Sequence, residues 1–472
     1  MKRTILLVLF ILSVTLLEGK VVLPDLISDN MVLQRESMAT LWGKAKPKTK
    51  VSVTTSWSGK TTSVKSDKNG DWKLEVATPS AGGPYTITFD DGDVTSINNV
   101  LIGDVWLCSG QSNMVMTMNG YVSQPVEGAA EYIVSAKPSA PIRMCTVKRQ
   151  AVNTAAESCK GKWVEHTPER VAECSATAYF FAKRLQETLE IPIGIIISAW
   201  GGSIIESWMP RNLMEKYSDE VDLTVLDKAE IPETPNKCPC YLYNGMLHPV
   251  RNYDIKGVIW YQGCTNRGKH ERYAKSQPEF VSMLRDLFET PELAFYYVQI
   301  APFKYDGADR IGAALLREAQ ADGLRTIPNC GMVVSMDCGD EFCIHPAKKK
   351  PIGDRLAYLA LENSYGFKGL ESAAPTYQSM EIIDGKAYVK FNVGIKGIGP
   401  KGHQLDGFEI AGEDRVFHKA EAQTGKGGDI IVVSSPEVSN PVAVRYAFRN
   451  CSPVSVYNTY GIPASPFRTD NW

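Results

Sequence analysis

The pattern of apolar and polar residues divides the chain into three parts. Residues 20–98 contain short alternating runs separated by turn signals such as Asn69-Gly70, a pattern typical of half-buried strands. Residues 99–366 instead alternate continuous apolar runs with amphipathic segments, which indicates a mainly parallel sheet with crossover helices. Residues 367–472 return to short β-like runs. We therefore predict an α/β domain over residues 99–366, with a β-sandwich domain before it and an all-β domain after it.

Continuous apolar runs in the middle part are the candidates for buried strands. They are Val105 to Cys108, Ile193 to Ser198, Gly257 to Tyr261, Phe295 to Ile300 and Met332 to Ser335. Between them, apolar residues recur at helical spacing, most clearly from Phe280 to Phe288. We expect that stripe to pack against the core of the domain.

The first 19 residues differ from the rest of the chain. Lys2 and Arg3 precede a short apolar run from Ile5 to Leu12, and the small residue Gly19 follows near a plausible cleavage point. This arrangement is typical of a secretory signal peptide, and the run is too short to span a bilayer. We therefore expect residues 1–19 to be a signal peptide and the mature protein to be soluble, and either secreted or periplasmic.

Composition and charge exclude some classes of function. The 472 residues are 44% hydrophobic and 22% charged, as in an ordinary globular protein of about three domains. The net charge of −2 gives no electrostatic reason to expect nucleic acid or an anionic membrane as a partner. We interpret the one notable basic run, Lys348 to Lys350, as the solvated start of a helix.

The 11 cysteines do not form a metal-binding pattern. Because their number is odd, at least one thiol has no disulfide partner within the chain. The pair Cys238 and Cys240, and the group Cys338, Cys343 and His345, both lack a second half at zinc-like spacing. We expect no bound metal.

Four loops that follow predicted strands carry the residue types that ester hydrolysis needs. Along the chain they contain Ser112, Gly201-Gly202, Asn266 and His345. The carboxyl ends of parallel strands meet at one edge of a sheet, so these loops can share a site. A serine activated by a base supplies the nucleophile, while glycine N–H groups and an asparagine amide can stabilise an oxyanion. Each residue alone is an ordinary loop residue, and only the combination points to catalysis.

These loops and their flanking residues resemble those of the sialate O-acetylesterases of the SGNH hydrolase superfamily. The similar blocks are Gly103 to Met114, Trp200 to Ser203, Ile205 to Trp208, Tyr243 to Met246, Trp260 to Gly263, Leu316 to Gln320 and Ile344 to Pro346. The resemblance implies an SGNH-hydrolase-like three-layer sandwich over residues 99–366, flanked by N- and C-terminal all-β domains.

The resemblance also implies a role for each site residue. Ser112 would attack the acetyl carbonyl, and His345 would take its proton. The backbone N–H groups of Ser112 and Gly202 and the side chain of Asn266 would hold the oxyanion, with no cofactor.

The acid that orients the histidine departs from the family pattern. SGNH enzymes commonly place an aspartate two or three residues before the histidine, where this chain has Cys343 and Phe342. In an extended loop, Glu341 falls on the same side as position 343. We therefore favour Glu341 over Asp340, with a Ser–His pair oriented by a backbone carbonyl as the third option.

The leading hypothesis is an exported esterase that removes O-acetyl groups from sialic acids. One alternative is an acetyl esterase acting on plant polysaccharides such as xylan, and another is a non-catalytic glycan-binding protein with a decayed site. A sialate carboxylate would need a cationic partner, for which Arg317 and Arg267 are candidates unless they form ordinary ion pairs.

Overall fold

The computed structural model describes residues 20–394, 396–400 and 404–472. The predicted signal peptide, residues 1–19, lies outside these ranges. No helix in the described ranges is long and apolar enough to cross a membrane.

The N-terminal part consists of short strands, as the sequence predicts, and most of them pair antiparallel. They are β1 (Val32–Gln34), β2 (Met38–Lys44), β3 (Lys50–Thr55), β4 (Thr61–Lys65), β5 (Asp71–Ala77), β6 (Gly82–Asp90) and β7 (Val94–Gly110). Strand β5 has the expected alternation, because Trp72, Leu74 and Val76 are buried while the residues between them are exposed.

Strand β7 connects the N-terminal strands to the central sheet. Its first part pairs antiparallel with β6, and the part from Asp104 to Gly110 pairs parallel with the next sheet strands. The predicted domain boundary between residues 98 and 99 falls inside this strand. The two regions therefore share one continuous strand, which fixes the direction of the chain as it enters the site.

The central sheet confirms the predicted α/β class. Its further strands are β8 (Ile142–Thr146), β9 (Trp163–Glu165), β10 (Ile193–Ala199), β11 (Gly257–Tyr261), β12 (Ala294–Val298) and β13 (Cys330–Val333). The order is β13-β12-β11-β7-β10-β8-β9, with parallel neighbours from β13 to β8 and β9 antiparallel at the edge. Within the described residues the sheet has eleven strands and is mixed overall, because β1, β3, β4 and β6 also join it through β7.

Helices cover both faces of the parallel strands. The α-helices are α1 (Ser112–Val115), α2 (Ala129–Val134), α3 (Pro168–Glu173), α4 (Ala176–Leu189), α5 (Arg211–Met214), α6 (His270–Leu287), α7 (Gly312–Thr326) and α8 (Lys349–Asn363). Val105 and Leu107 of β7 belong to the core that includes α6 and α7. Trp106 and Cys108 point to the opposite face and share a core with α4 and α8. The alternation of β7 thus divides its side chains between the two helical layers.

The C-terminal part is a set of small antiparallel sheets. Its strands are β14 (Thr376–Ile383), β15 (Lys386–Asn392), β16 (Ile398–Pro400), β17 (Phe408–Ala411), β18 (Phe417–Lys419), β19 (Glu421–Thr424), β20 (Ile430–Ser434), β21 (Ala443–Tyr446), β22 (Val456–Asn458) and β23 (Phe467–Arg468). The buried Arg317 of α7 donates to the carbonyl oxygens of Arg449 and Asn450 at 2.7 and 2.9 Å. These bonds hold the C-terminal part against the central helical layer.

Candidate active site

Ser112 lies at the carboxyl end of β7, in the first turn of α1. The turn requires glycine at position 110, because φ is +138° and a Cβ there would lie 2.2 Å from the Tyr261 carbonyl oxygen. Gln111 then closes onto β11: its backbone N–H donates to Tyr261 O at 2.9 Å, and its Oε1 accepts the Gly263 N–H at 3.0 Å. These contacts fix the backbone from which the partly exposed Ser112 projects.

The glycine loop after β10 packs directly against the serine. A Cβ at Gly201 would lie 3.4 Å from Ser112 Cβ, and Asn236 Nδ2 holds the loop by donating to Gly201 O at 2.9 Å. Gly202 follows with φ of +69°. Within the described residues, neither the Ser112 N–H nor the Gly202 N–H donates a hydrogen bond. Two free backbone donors therefore lie on loops that touch each other.

Asn266 is buried beside the same glycine loop, with only 2% of its surface exposed. Its Oδ1 accepts the Ile205 N–H at 3.0 Å and Gln262 Nε2 at 2.7 Å. Its Nδ2 donates to Glu206 Oε2 at 2.9 Å, and Glu206 also pairs with Arg272 at 2.7 Å. One amide hydrogen of Asn266 is thus committed to Glu206, while the second hydrogen has no acceptor among the described residues.

His345 lies on the irregular segment between β13 and α8 and is brought beside Ser112 by two contacts. Asn113 Nδ2 donates to Ile344 O at 3.1 Å. The Tyr121 hydroxyl donates to Ser112 O at 3.0 Å, while the Tyr121 ring meets the His345 ring edge-on with centroids 5.0 Å apart. No hydrogen bond joins Ser112 Oγ to His345 Nε2 among the described residues, and neither atom has another hydrogen-bond partner there, so the Ser112–His345 pair stays a prediction. Such bonds commonly tighten only when substrate binds.

Gln124 occupies the position at which the sequence places a carboxylate. His345 Nδ1 lies 2.8 Å from Gln124 Oε1. An amide oxygen only accepts, so this contact favours the tautomer with hydrogen on Nδ1 and a free lone pair on Nε2. A neutral group therefore orients the imidazole.

The predicted acids make other contacts. Asp340 Oδ1 accepts the N–H groups of Phe342 and Cys343 at 2.7 and 3.0 Å. The Glu341 backbone carbonyl accepts the Lys304 N–H, and no hydrogen bond joins the Glu341 side chain to His345 in the described part of the chain. Glu341 as the acid stays a prediction for which the structure offers no supporting contact.

Lys349 corrects our interpretation of the basic run as a solvated helix start. Its side chain is fully buried, and Nζ donates to Asn113 Oδ1 next to the serine. No carboxylate pairs with it among the residues the structure describes. Burial lowers the pKa of Lys349 to about 7. Burial of His345, with a further contribution from the Lys349 charge, also lowers the pKa of the imidazole, which favours the neutral form that a general base needs.

The two arginines considered for a substrate carboxylate are both engaged. Arg317 is fully buried, and its guanidinium donates to backbone carbonyl oxygens, including that of Ile300 at 2.8 Å. Arg267 pairs with Asp306 at 2.8 Å and lies over the Tyr305 ring. The structure gives both residues structural contacts.

All eleven cysteines lie in the described ranges, and within those ranges each has a free thiol. Among the described residues, no group of three or more His, Cys, Asp or Glu side chains could hold a metal ion.

Sequence reasoning missed four residues of this site: Tyr121, Gln124, Glu206 and Lys349. Tyr121 and Gln124 belong to a loop without periodic pattern, so no signal marked them. Glu206 stands in one of the blocks that carried the family resemblance. Lys349 lies four residues after His345, where a helix start would bring it back toward the loop.

Comparison with known proteins points to one family. Residues 102–362 match the family described as carbohydrate esterase, sialic acid-specific acetylesterase. Sialate O-acetylesterase of Rattus norvegicus is 28% identical over 418 aligned residues, covering 76% of each chain. The enzyme of Mus musculus is 27% identical over 512 aligned positions, covering 93% of each chain.

A solved structure agrees over nearly the whole chain. The crystal structure of a carbohydrate acetylesterase from Xanthomonas citri superposes with a TM-score of 0.86 and 34% identity, over 96% of this chain and 100% of that one. The predicted resemblance is confirmed. The chain belongs to the sialic acid-specific acetylesterase family of carbohydrate esterases and is a carboxylic ester hydrolase.

Proposed function

We propose that this protein is an exported serine esterase that removes O-acetyl groups from sialic acids through an acyl-enzyme. The observation that carries the proposal is that Ser112 packs against the glycine loop, where the Ser112 and Gly202 N–H groups have no acceptor among the described residues, while Tyr121 contacts both Ser112 and the His345 ring. Similarity to the sialic acid-specific acetylesterase family and to sialate O-acetylesterases supports sialic acid as the substrate. The predicted signal peptide supports export.

Ser112 Oγ attacks the acetyl carbonyl carbon while His345 Nε2 takes its proton. The resulting oxyanion accepts hydrogen bonds from the Ser112 and Gly202 N–H groups, with the second amide hydrogen of Asn266 as a third donor. His345 then returns the proton to the sugar oxygen, which leaves as a hydroxyl.

Water completes the cycle. His345 deprotonates a water molecule that attacks the acetyl-Ser112 carbonyl, and the collapse releases acetate and restores the serine. Gln124 keeps the proton on Nδ1 in both half-reactions. All of these steps use groups of the chain itself, and none requires a cofactor.

We also propose that the central sheet and its helices form an SGNH-hydrolase-like three-layer sandwich over residues 99–366, between β domains at 20–98 and 367–472. Helices on both faces of the parallel strands support this assignment. So does the chain order Ser112, Gly202, Asn266, His345, with each residue in a loop after a different strand.

Acetate release from O-acetylated sialic acids and from acetylated xylan, compared with hydrolysis of p-nitrophenyl acetate, tests the proposal. We expect release from the sialic acids, and loss of all three activities in Ser112→Ala. Acetate release from xylan alone would identify acetylated xylan, and not sialic acid, as the substrate. A folded wild-type protein that binds glycans but hydrolyses none of the three would make it a glycan-binding protein with a decayed site.

A further inference from the structure

We propose that Arg149 determines specificity at the Ser112 site by binding the carboxylate of an acidic O-acetylated sugar. The inference rests on the proposed esterase function and names the residue that recognises the charged part of the substrate. Neither arginine considered from the sequence can take this role, because Arg317 and Arg267 are held by other groups.

Arg149 lies over a residue of the glycine loop. Its guanidinium carbon is 5.4 Å from the centre of the Trp200 ring. Trp200 immediately precedes Gly201, which packs against Ser112, and its backbone N–H donates to Gly110 O at 3.1 Å. The platform under the guanidinium is therefore fixed to the turn that carries the nucleophile.

The charge of Arg149 also acts on Tyr121, a residue that contacts both Ser112 and His345. Burial raises the pKa of the Tyr121 hydroxyl, and the positive charge of Arg149 opposes that rise. The same hydroxyl donates to Ser112 O, and the Tyr121 ring contacts His345. Arg149 therefore contacts Trp200, and its charge also acts on Tyr121 beside the serine.

The charge of Arg149 is available to a ligand. The residue is exposed, and it forms no ion pair or hydrogen bond within the described residues. A cation–π contact with the indole uses none of the guanidinium N–H donors, which therefore stay available to a ligand. The planar edge of the guanidinium matches a carboxylate in a bidentate geometry.

This arrangement favours an acidic sugar over a neutral one. A neutral acetylated polysaccharide offers no charge to the guanidinium, whereas a sialic acid or an acetylated uronate carries a carboxylate in the same sugar residue as the ester. The Arg149 guanidinium would bind that carboxylate and so fix the position of the sugar relative to Ser112. The two acidic sources share one chemistry, and the test separates them.

The experiment compares O-acetyl-N-acetylneuraminic acid with its methyl ester, in which the carboxylate charge is removed. For the wild type we expect kcat/KM to be about tenfold higher on the acid, because a charge-assisted bidentate contact has roughly that effect. Arg149→Gln should abolish this preference, mainly by raising KM on the acid, so that the acid and its methyl ester are hydrolysed with similar kcat/KM. Arg149→Lys should keep part of the preference.

Lys148→Gln is the matched control, since it removes one positive charge from the neighbouring exposed position. It should retain the preference for the acid. An unchanged acid-to-ester ratio of kcat/KM in Arg149→Gln would overturn the inference and leave the proposed esterase function standing. Absence of p-nitrophenyl acetate hydrolysis in the wild type would instead remove the proposed function.

Acetylated oligogalacturonate serves as the second acidic substrate. Arg149-dependent turnover of the sialic acid identifies sialate as the carboxylate source, and Arg149-dependent turnover of the uronate alone identifies uronate. Turnover of neither acid in an enzyme that deacetylates neutral xylan would refute recognition of a carboxylate.

Discussion

The two halves of the candidate site are built differently. The nucleophile half, formed by Ser112, Gly202 and Asn266 with their loops, follows the adjacent strands β7, β10 and β11. Buried hydrogen bonds connect these loops, such as Gln111 to Gly263 and Gln262 to Ser203 at 3.0 and 2.9 Å. The base half, formed by His345, Gln124 and Lys349, instead combines an irregular segment, a loop residue and a buried helix start.

The difference lies in how each half manages charge. In the nucleophile half, Asn266 is held by the buried ion pair of Glu206 with Arg272. In the base half, no carboxylate of the described residues binds the imidazole, and both titratable groups have lowered pKa values. We infer that the nucleophile half supplies preformed transition-state stabilisation, while the base half keeps its histidine neutral by burial and positive charge rather than stabilising the imidazolium.

The largest expected loss of activity comes from replacing Ser112 or His345, one residue from each half of the site. Ser112→Ala or His345→Gln should each lower kcat/KM by about 10⁴-fold or more, as for catalytic groups that act as a unit. The double variant should be no slower than either single variant, since proton transfer needs both groups. Acetate release under single-turnover conditions measures all three. Multiplied effects in the double variant would mean that the two side chains act independently.

Asn266→Ala should damage the nucleophile half alone. Loss of one oxyanion donor typically lowers kcat by about 10²- to 10³-fold, and KM should change little. Thr265→Ala, a partly exposed neighbour in the same turn, is the control and should stay within about twofold of the wild type. Equal losses in both variants, with equal falls in melting temperature, would assign Asn266 a structural role only.

Gln124 tests the base half. Gln124→Ala removes the acceptor on Nδ1 and should lower kcat by about tenfold, the value of one lost hydrogen bond to the catalytic ring. Gln124→Glu places a carboxylate there, which favours the imidazolium and should move the acid limb of kcat/KM to higher pH.

Glu341→Gln is the contrasting variant. Because Glu341 makes no hydrogen bond to His345 in the described structure, its replacement should leave activity within about twofold of the wild type. A loss of orders of magnitude in Glu341→Gln, together with a silent Gln124→Ala, would restore Glu341 as the acid predicted from the sequence.

The same contrast explains what the sequence could predict. Apolar runs such as Ile193–Ala199 and Gly257–Tyr261 are continuous because their strands are buried on both faces. The sequence therefore predicts where these strands end and which loops follow them. The turns at Gly110 and Gly202 are also predictable, because glycine marks positions with positive φ, which other residues rarely adopt.

The base half lacks such local signals. Gln124 meets His345 across 221 positions of sequence, and an isolated glutamine in an irregular loop has no pattern that marks it. Lys349 belongs to a run of three lysines, whose polarity predicts exposure to solvent. Of the three side chains, only that of Lys349 is fully buried. Long-range packing, which no local pattern records, decides both positions.

The smallest expected effect is electrostatic and concerns Lys349. Removing its charge in Lys349→Met should raise the pKa of His345, so the acid limb of kcat/KM should move to higher pH by less than about one unit. Lys350→Met is the matched control, because Lys350 is partly exposed and pairs with Asp354 at 2.5 Å. A shift of equal size in both variants would indicate a general surface-charge effect.

Lys349 should also be visible in stability. Its folded-state pKa of about 7 lies below the value of about 10.4 expected when unfolded, so between these values the unfolded state binds more protons. The free energy of unfolding of the wild type should therefore rise with pH from about 7 toward 10, relative to Lys349→Met. Denaturant unfolding of both proteins at pH 6, 7, 8 and 9 measures this difference. Parallel pH profiles would mean that Lys349 titrates alike in the folded and unfolded states, so that burial does not lower its pKa.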